Sequence, residues 1–345
     1  MNLPARSHLN DITCMHAMDG MLYIFREGQG LQRIQGPRYH SVASRHNYPE
    51  NEALITLEGV SRLDHFMFIR DNLVGISNAT IVLLELGRTT AYLQKTHALQ
   101  KYTRVKHIAF DPHLRSLYVV DETAGVLKAD MTFASQPREV SVFMPAIFDE
   151  LKGRITGLKF FGSYLLAIVA NEGVYAVNCT GDTGELKIYK TKDPRDALYI
   201  PEEGVLLIAD ACEGLLTFAE GDETPFQQIP MPATGPVDLE IVRFSSQVAI
   251  VRINDGLYLY HFVHQQLDRK EQHCKLFTVD PTGGVIYSLY FEELTARSCF
   301  GQPAFFGLPE RGTYDPNDWR VRLYWADDIR QWKSDDYFHY GDDHD

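Results

Sequence analysis

At 345 residues, with 45% hydrophobic and 23% charged side chains, the chain has the composition of a globular protein that can bury a core, not that of a disordered one. Its 46 acidic residues against 33 basic ones leave a net charge of −13, which repels phosphate backbones and anionic membrane surfaces. The densest basic piece, "QLDRKEQHCK" at 266–275, carries Asp268 and Glu271 among its cations. No nucleic-acid partner and no membrane insertion are therefore expected. No run approaches the roughly 18 apolar residues of a spanning helix, and the first 20 residues hold no apolar signal core. The five cysteines, Cys14, Cys179, Cys212, Cys274 and Cys299, are scattered and form no CxxC pair, which reads as free thiols in a reducing compartment. The expectation is a soluble, intracellular and most simply cytoplasmic protein.

Along the chain, helical periodicity is scarce and apolar, β-branched or aromatic runs of about five to seven residues recur between Gly, Asp, Asn and Pro. Residues 1–10 read as an N-terminal extension, followed by a strand near Thr13 and the hairpin "MLYIFREGQGLQRI" from Met21. Next come "RLDHFMFI" at 62 with the hairpin "LVGISNATIVLLEL" from Leu73, and "RVKHIAF" at 104 with "LYVVDETAGVLKAD" from Leu117. "RITGLKFF" at 154 precedes "LLAIVANEGVYAVN" from Leu165. "DALYI" at 196 precedes "VLLIADACEGLLTF" from Val205, and "VDLEIVRF" at 237 precedes "VAIVRINDGLYLYH" from Val248. Looser polar strands such as "ELKIYKT" at 185 and "FQQIPM" at 226 follow. An apolar strand, a hairpin and an outer strand make one four-stranded unit, repeating at a spacing near that of propeller blades. In five of the six hairpins the turn closes with Gly before Leu or Val, at Gly30, Gly125, Gly173, Gly214 and Gly256, where a tight turn demands positive φ.

The last unit is irregular: "GVIYSLYF" at 284 reads as its inner strand, "AFFGLP" at 304 as its second and "WRVRLYWADDIRQWK" at 319 as its outer pair. The whole predicts an all-β protein, a β-propeller of about seven four-stranded blades over residues 11–333, with an acidic-aromatic tail at 334–345. The hairpin phrase, an apolar strand ending in Asp or Asn, a turn on Gly and a Leu/Val-Tyr continuation, resembles the repeats of NHL-type, LVIVD-type and two-component-regulator propellers. The Trp-Asp dipeptides of WD repeats and the paired glycines of kelch repeats are missing, so the resemblance assigns the fold and no subfamily.

The sequence holds no G-x-S-x-G elbow, H-E-x-x-H, P-loop or EF-hand loop. "GQGLQRIQG" at 28–36 has Arg33 where a dinucleotide motif needs its third glycine, and reads as a turn. Superposing the inner strands on their apolar positions places Asp64, Asp196 and Asp238 in one column, with Lys106 and Thr156 from the blades between. Carboxylates converging on a water-filled channel mouth suit Ca²⁺ or another divalent cation, or acid and base work. A resemblance to lactonase-type propellers, which hold a metal there, implies the same; against it, Asp is also a turn-capping residue and Lys106 repels cations.

In "WRVRLYW" the period of two sets Arg320, Arg322 and Tyr324 on one face, and these, with Trp332, Tyr337 and Phe338, form a candidate partner surface. The acidic-aromatic tail reads equally as a solvated end, a docking segment or an extension of the last strand. Long segments at 36–53 and 301–319 interrupt the repeat and suit specificity loops. The leading expectation is a non-catalytic propeller serving as a platform for other proteins or as a subunit of an assembly, with no cofactor. The alternative is a divalent-metal-dependent hydrolase or lactonase using the three aspartates.

Overall fold

The computed structural model describes residues 11–298, apart from 19–20, 36–52, 58, 70–71, 87–89, 95–96, 133–136, 181–184, 232–237, 245–247, 263, 272, 281–284 and 291–292. The first meander is β1 (Ile12–Met18), β2 (Met21–Arg26) and β3 (Gly30–Gln35), followed by β4 (Ala53–Leu57). β5 (His65–Ile69), β6 (Asn72–Ser77), β7 (Thr80–Leu86) and β8 (Thr90–Gln94) form the second, with β4 parallel to β8 through Thr56–Thr90 and Leu57–Ala91. After a one-turn helix, α1 (His97–Gln100), come β9 (Val105–Asp111), β10 (Ser116–Asp121), β11 (Gly125–Asp130) and β12 (Arg138–Val142). A second short helix, α2 (Pro145–Phe148), leads to β13 (Ile155–Phe161), β14 (Tyr164–Val169), β15 (Gly173–Asn178) and β16 (Leu186–Lys190). The next two meanders are β17 (Pro194–Ile200), β18 (Val205–Asp210), β19 (Gly214–Ala219) and β20 (Gln227–Ile229), then β21 (Leu239–Arg243), β22 (Val248–Ile253), β23 (Gly256–His261) and β24 (Gln266–Glu271). β25 (Leu276–Asp280), β26 (Val285–Tyr290) and β27 (Glu293–Ser298) end the described chain.

The fold is an all-β propeller, and all six hairpins appear where their sequence phrase places them. The blade count is corrected: the strands form six sheets, not seven. The physical reason is the parallel pairing of β4 with β8, which places Thr56 and Leu57 in the sheet of β5–β8 and leaves β4 no separate sheet. The last unit is also shifted by one strand. The run at 284 is the middle strand β26, and the unpredicted β25 lies at the sheet edge beside β1, where Ala17 N–H donates to Thr278 Oγ1 at 3.1 Å. The chain divides into two compact units, residues 1–54 with 273–345, and residues 55–272. Among the described residues no helix is long and apolar enough to cross a membrane.

Burial explains why the hairpins read so clearly. β10 and β14 are buried at every position, because both faces of each sheet pack on a neighbouring sheet. One face of β10, through Leu117 and Val119, packs with Val74, Ile76 and Leu83 of the preceding sheet. The other, through Tyr118 and Val120, packs with Leu165, Ala167 and Val169 of the next. A strand buried on two faces is a continuous apolar run, and each Leu or Ile so buried contributes about 1.5–3 kcal/mol. The turns are locked by buried aspartates. Asp210 Oδ1 accepts from Cys212 N–H and Glu213 N–H, both at 2.8 Å, and its Oδ2 accepts from Asp193 N–H at 2.6 Å, tying the turn to the start of the inner strand. Asp121 does the same with Thr123, Ala124 and Arg104. Gly214 has φ of +98°, and a Cβ there would stand 2.2 Å from the Ile229 carbonyl oxygen, so only glycine fits.

Candidate functional site on the inner strands of residues 55–272

The strand pairing defines which inner-strand positions correspond. Each hairpin's last pair, Ser77–Thr80, Asp121–Gly125, Val169–Gly173, Asp210–Gly214 or Ile253–Gly256, marks a common origin. One residue before it, Ile76, Val120, Ile168, Ala209 and Arg252 pair with His65, His107, Gly157, Asp196 and Glu240. These five form a single row across β5, β9, β13, β17 and β21. The row differs from the sequence column at every position except Asp196. In β9, β13 and β17 the pairing skips one residue, so Lys106, Thr156 and Arg195 are the extra residues of β-bulges. Asp64 and Asp238 stand just before β5 and β21. A slip of one residue changes which face a side chain serves, and no apolar pattern announces a bulge.

The centre of the row is a hydrogen-bonded ion pair. Lys159, two residues beyond Gly157, places its Nζ 2.6 Å from Asp196 Oδ2 and donates to the Ile241 carbonyl at 2.8 Å. The same Asp196 oxygen accepts Ile241 N–H at 2.6 Å, and Oδ1 accepts Ala197 N–H at 2.9 Å. The carboxylate side chain is only 7% exposed, so this network joins three inner strands in a place where an unpaired charge would be costly. Beside it, Arg252 lies 3.3 Å from Glu240 Oε2 and 3.3 Å from Asp238 Oδ2. Burial raises the pKa of Glu240, against the opposing pull of Arg252 and Lys159, with Asp196 adding to the rise. Burial lowers the pKa of His65, helped by Lys159, and pushes His107 down to about 4, helped by His65 and Lys106. Both imidazoles are therefore neutral near pH 7, although His65 still presents exposed surface.

The remaining predicted site residues are engaged elsewhere. Asp64 accepts from Arg62 at 2.7 Å and Lys106 lies 3.1 Å from Glu122. The aspartates of the predicted column thus each face a lysine or arginine. Among the described residues no group of three His, Cys, Asp or Glu side chains is placed to hold a metal ion. Arg320, Arg322, Tyr324, Trp332, Tyr337 and Phe338 lie outside the described residues, as do nearly all of the two long segments. His261, the last residue of β23, and His264 beyond it have ring centroids 6.3 Å apart.

A feature the sequence did not flag lies on the outer strands. Leu93 on β8, Val142 on β12, Ile188 on β16 and Phe226 just before β20 are 37, 46, 36 and 54% exposed. Val142 pairs with Leu127 and Ile188 with Tyr175, each two residues past the turn glycine, so these two share a register.

The sequence matches no family profile and no curated protein. Solved structures are similar in fold. The extracellular domain of BT4673, assigned to a one-component system of B. thetaiotaomicron, has a TM-score of 0.60 at 13% identity, covering 90% of this chain and 43% of its own. The chain thus spans less than half the length of that protein. The computationally designed Ika8 protein has a TM-score of 0.54 at 12% identity, covering 83% of this chain and 82% of its own. The β-propeller domain of Cps50 (Swd1) from Myceliophteria thermophila has a TM-score of 0.51 at 12% identity, covering 70% and 85%. At such identities the likeness shows the fold alone: the chain is a β-propeller.

Proposed function

We propose that this chain is a non-catalytic β-propeller that serves as a rigid platform for other proteins. The observation that carries this reading is the recurrence of large exposed apolar side chains, Val142, Ile188 and Phe226, on or just before the edge strands β12, β16 and β20 of three successive sheets, with Leu93 on β8 exposed as well. β12, β16 and β20 end their sheets and have a free edge, which soluble proteins ordinarily cover or protect with charge, and apolar side chains there suit contact with a partner; β8 is paired on both sides. The similarity to the propeller domain of Cps50 (Swd1) is compatible with it. The reading as a metal-dependent hydrolase has less support, because Asp64, Asp196 and Asp238 each already face Arg62, Lys159 or Arg252.

The test is native purification of the tagged protein from its own cells with stoichiometry by mass, alongside a Val142→Lys/Ile188→Lys variant. Stoichiometric companions that are lost from the folded variant support the platform. A chain that comes out alone, or companions held equally by the variant, overturns the outer-strand assignment.

A further inference from the structure

The outer strands guard their edges in different ways. β8 is covered by β4, and the pairing of β12 is broken by a register shift between Lys128 and Asp130, with Glu139 at a φ of +48°. β20 is three residues long and runs into Pro230, and β24, "QLDRKE", is charged at its last four positions. β16 instead pairs with β15 in unbroken register over all five residues, and its guards are two lysines, Lys187 and Lys190. In an antiparallel ladder, bonded and non-bonded pairs alternate. Asn178 N–H donates to the Glu185 carbonyl at 2.9 Å and Thr191 N–H to the Glu172 carbonyl at 3.3 Å. Lys187 and Tyr189 therefore bond to β15, while Leu186, Ile188 and Lys190 turn their N–H and C=O groups away from the sheet. Ile188, 36% exposed, stands at the middle of this open edge, and the exposed Lys190, two residues on, shares its face. Lys187 is 3.5 Å from Glu220 and Lys192 is 3.0 Å from Glu213. The charge of Lys190 is felt at Glu172, but that carboxylate is bonded to Arg154 and Tyr175.

We propose that the edge of β16 takes one extended, acidic and apolar segment of a partner protein as an added antiparallel strand. This rests on the reading of the outer strands as a partner surface and names how that surface is used. The added strand bonds the outward N–H and C=O groups of Leu186, Ile188 and Lys190, and these main-chain bonds supply the affinity. Its side chains supply the selection: an apolar residue opposite Ile188, and an Asp or Glu opposite Lys190, because opposite charges favour a cross-strand pair. A basic segment meets Lys190, and beyond it Lys192, which is 70% exposed, with like charge and is rejected. A second copy of this chain is disfavoured on the same ground, since two β16 edges would bring Lys187, Lys190 and Lys192 of both copies to one seam.

The experiment measures amide hydrogen exchange in the full chain during titration with the synthetic peptide acetyl-Glu-Thr-Val-Thr-Val-amide, which sets Glu opposite Lys190 and Val opposite Ile188 and Leu186. The expected result is exchange at least about tenfold slower at Leu186, Ile188 and Lys190, with Lys187 and Tyr189 unchanged because β15 already holds them. Two controls probe the main-chain bonds. The same peptide N-methylated at its central valine leaves the protein untouched and should bind at least about tenfold more weakly. Ile188→Pro removes an N–H that the sheet does not use, and should weaken binding of the unmodified peptide as much while thermal unfolding stays cooperative. No slowing at the three amides, or equal binding of the N-methylated peptide, overturns strand addition. Equal slowing by a peptide with Lys in place of Glu overturns the acidic partner, and slowing that appears without peptide as the protein concentration rises assigns the edge to a second copy and overturns it too. In the native purification, companions lost from Val142→Lys/Ile188→Lys but kept by Ile188→Pro overturn strand addition and leave the platform standing. A chain that purifies alone yet shows the peptide-dependent slowing overturns the platform and leaves the edge site standing.

Discussion

The second strands and the inner strands of the same sheets obey different rules. β10 and β14 bury every residue, whereas β9 and β13 alternate buried, half-buried and exposed positions and carry Lys106, His107, Thr156 and Lys159. The second strands are clamped between neighbouring sheets and have only to be apolar and well packed. β9 and β13 are packed on one side and meet polar surroundings on the other, so their side chains are chosen by chemistry. Stability of the propeller resides mainly in the first set, and the buried Lys159–Asp196 ion pair belongs to the second.

The sharpest way to break this contrast is the one place where an inner strand is also a structural joint. Lys159→Met leaves Asp196 buried without its cation and should cost about 3–5 kcal/mol in urea unfolding. Lys159→Met/Asp196→Asn should recover a large part, because a neutral amide still accepts from Ile241 N–H; no recovery would mean that the loss came from packing. Within the second strands, Leu165→Ala removes a fully buried side chain and should cost about 3 kcal/mol, equally at all pH values where the protein folds.

Inner-strand changes should instead reshape the pH dependence. His107 titrates near 4 in the folded chain and at its ordinary 6.5 when unfolded, so the unfolded chain binds the proton first. Its contribution is full above pH 6.5 and is lost as the pH falls toward 4. Glu240 works the other way: with its pKa raised above 4.5, its contribution is full below pH 4.5 and is lost as the pH rises through the folded value. Urea midpoints measured across this window should flatten on the acid side in His107→Gln. In Glu240→Gln the opposing slope should disappear. A profile unchanged by either substitution would remove the electrostatic distinction between the two strand classes.

The smallest effect belongs to a turn. Asn78 and Ala79 both have positive φ, at 49° and 58°, in the one hairpin of the six without a closing glycine. Ala79→Gly relieves a strained alanine and should stabilise by about 0.5–1 kcal/mol; a loss of stability would show that the Cβ packs usefully.

The hairpins were legible because two-sided burial and positive-φ turns demand apolar runs and glycine, and both demands are written locally. The candidate site was not. Asp196 is common to the sequence column and the structural row, whereas His65, His107 and Glu240 stand in the row in place of Asp64, Lys106 and Asp238. Apolar superposition assumes one unbroken period of two, whereas β9, β13 and β17 each insert a bulge residue, Lys106, Thr156 and Arg195, that β5 and β21 lack, so no single offset aligns all five strands. Lys159 gave no sign either, since its partner is 37 residues away in the chain.

By itself the sequence determined the strand repeat, the turn chemistry and the all-β propeller class, because these depend on contacts between residues close in the chain. Tertiary structure decided the parallel pairing of β4 with β8, the frame of the last repeat unit and the company each charged side chain keeps. Those depend on pairings between distant segments, such as β4 with β8 and Lys159 with Asp196, whose energies appear only when the sheets are assembled.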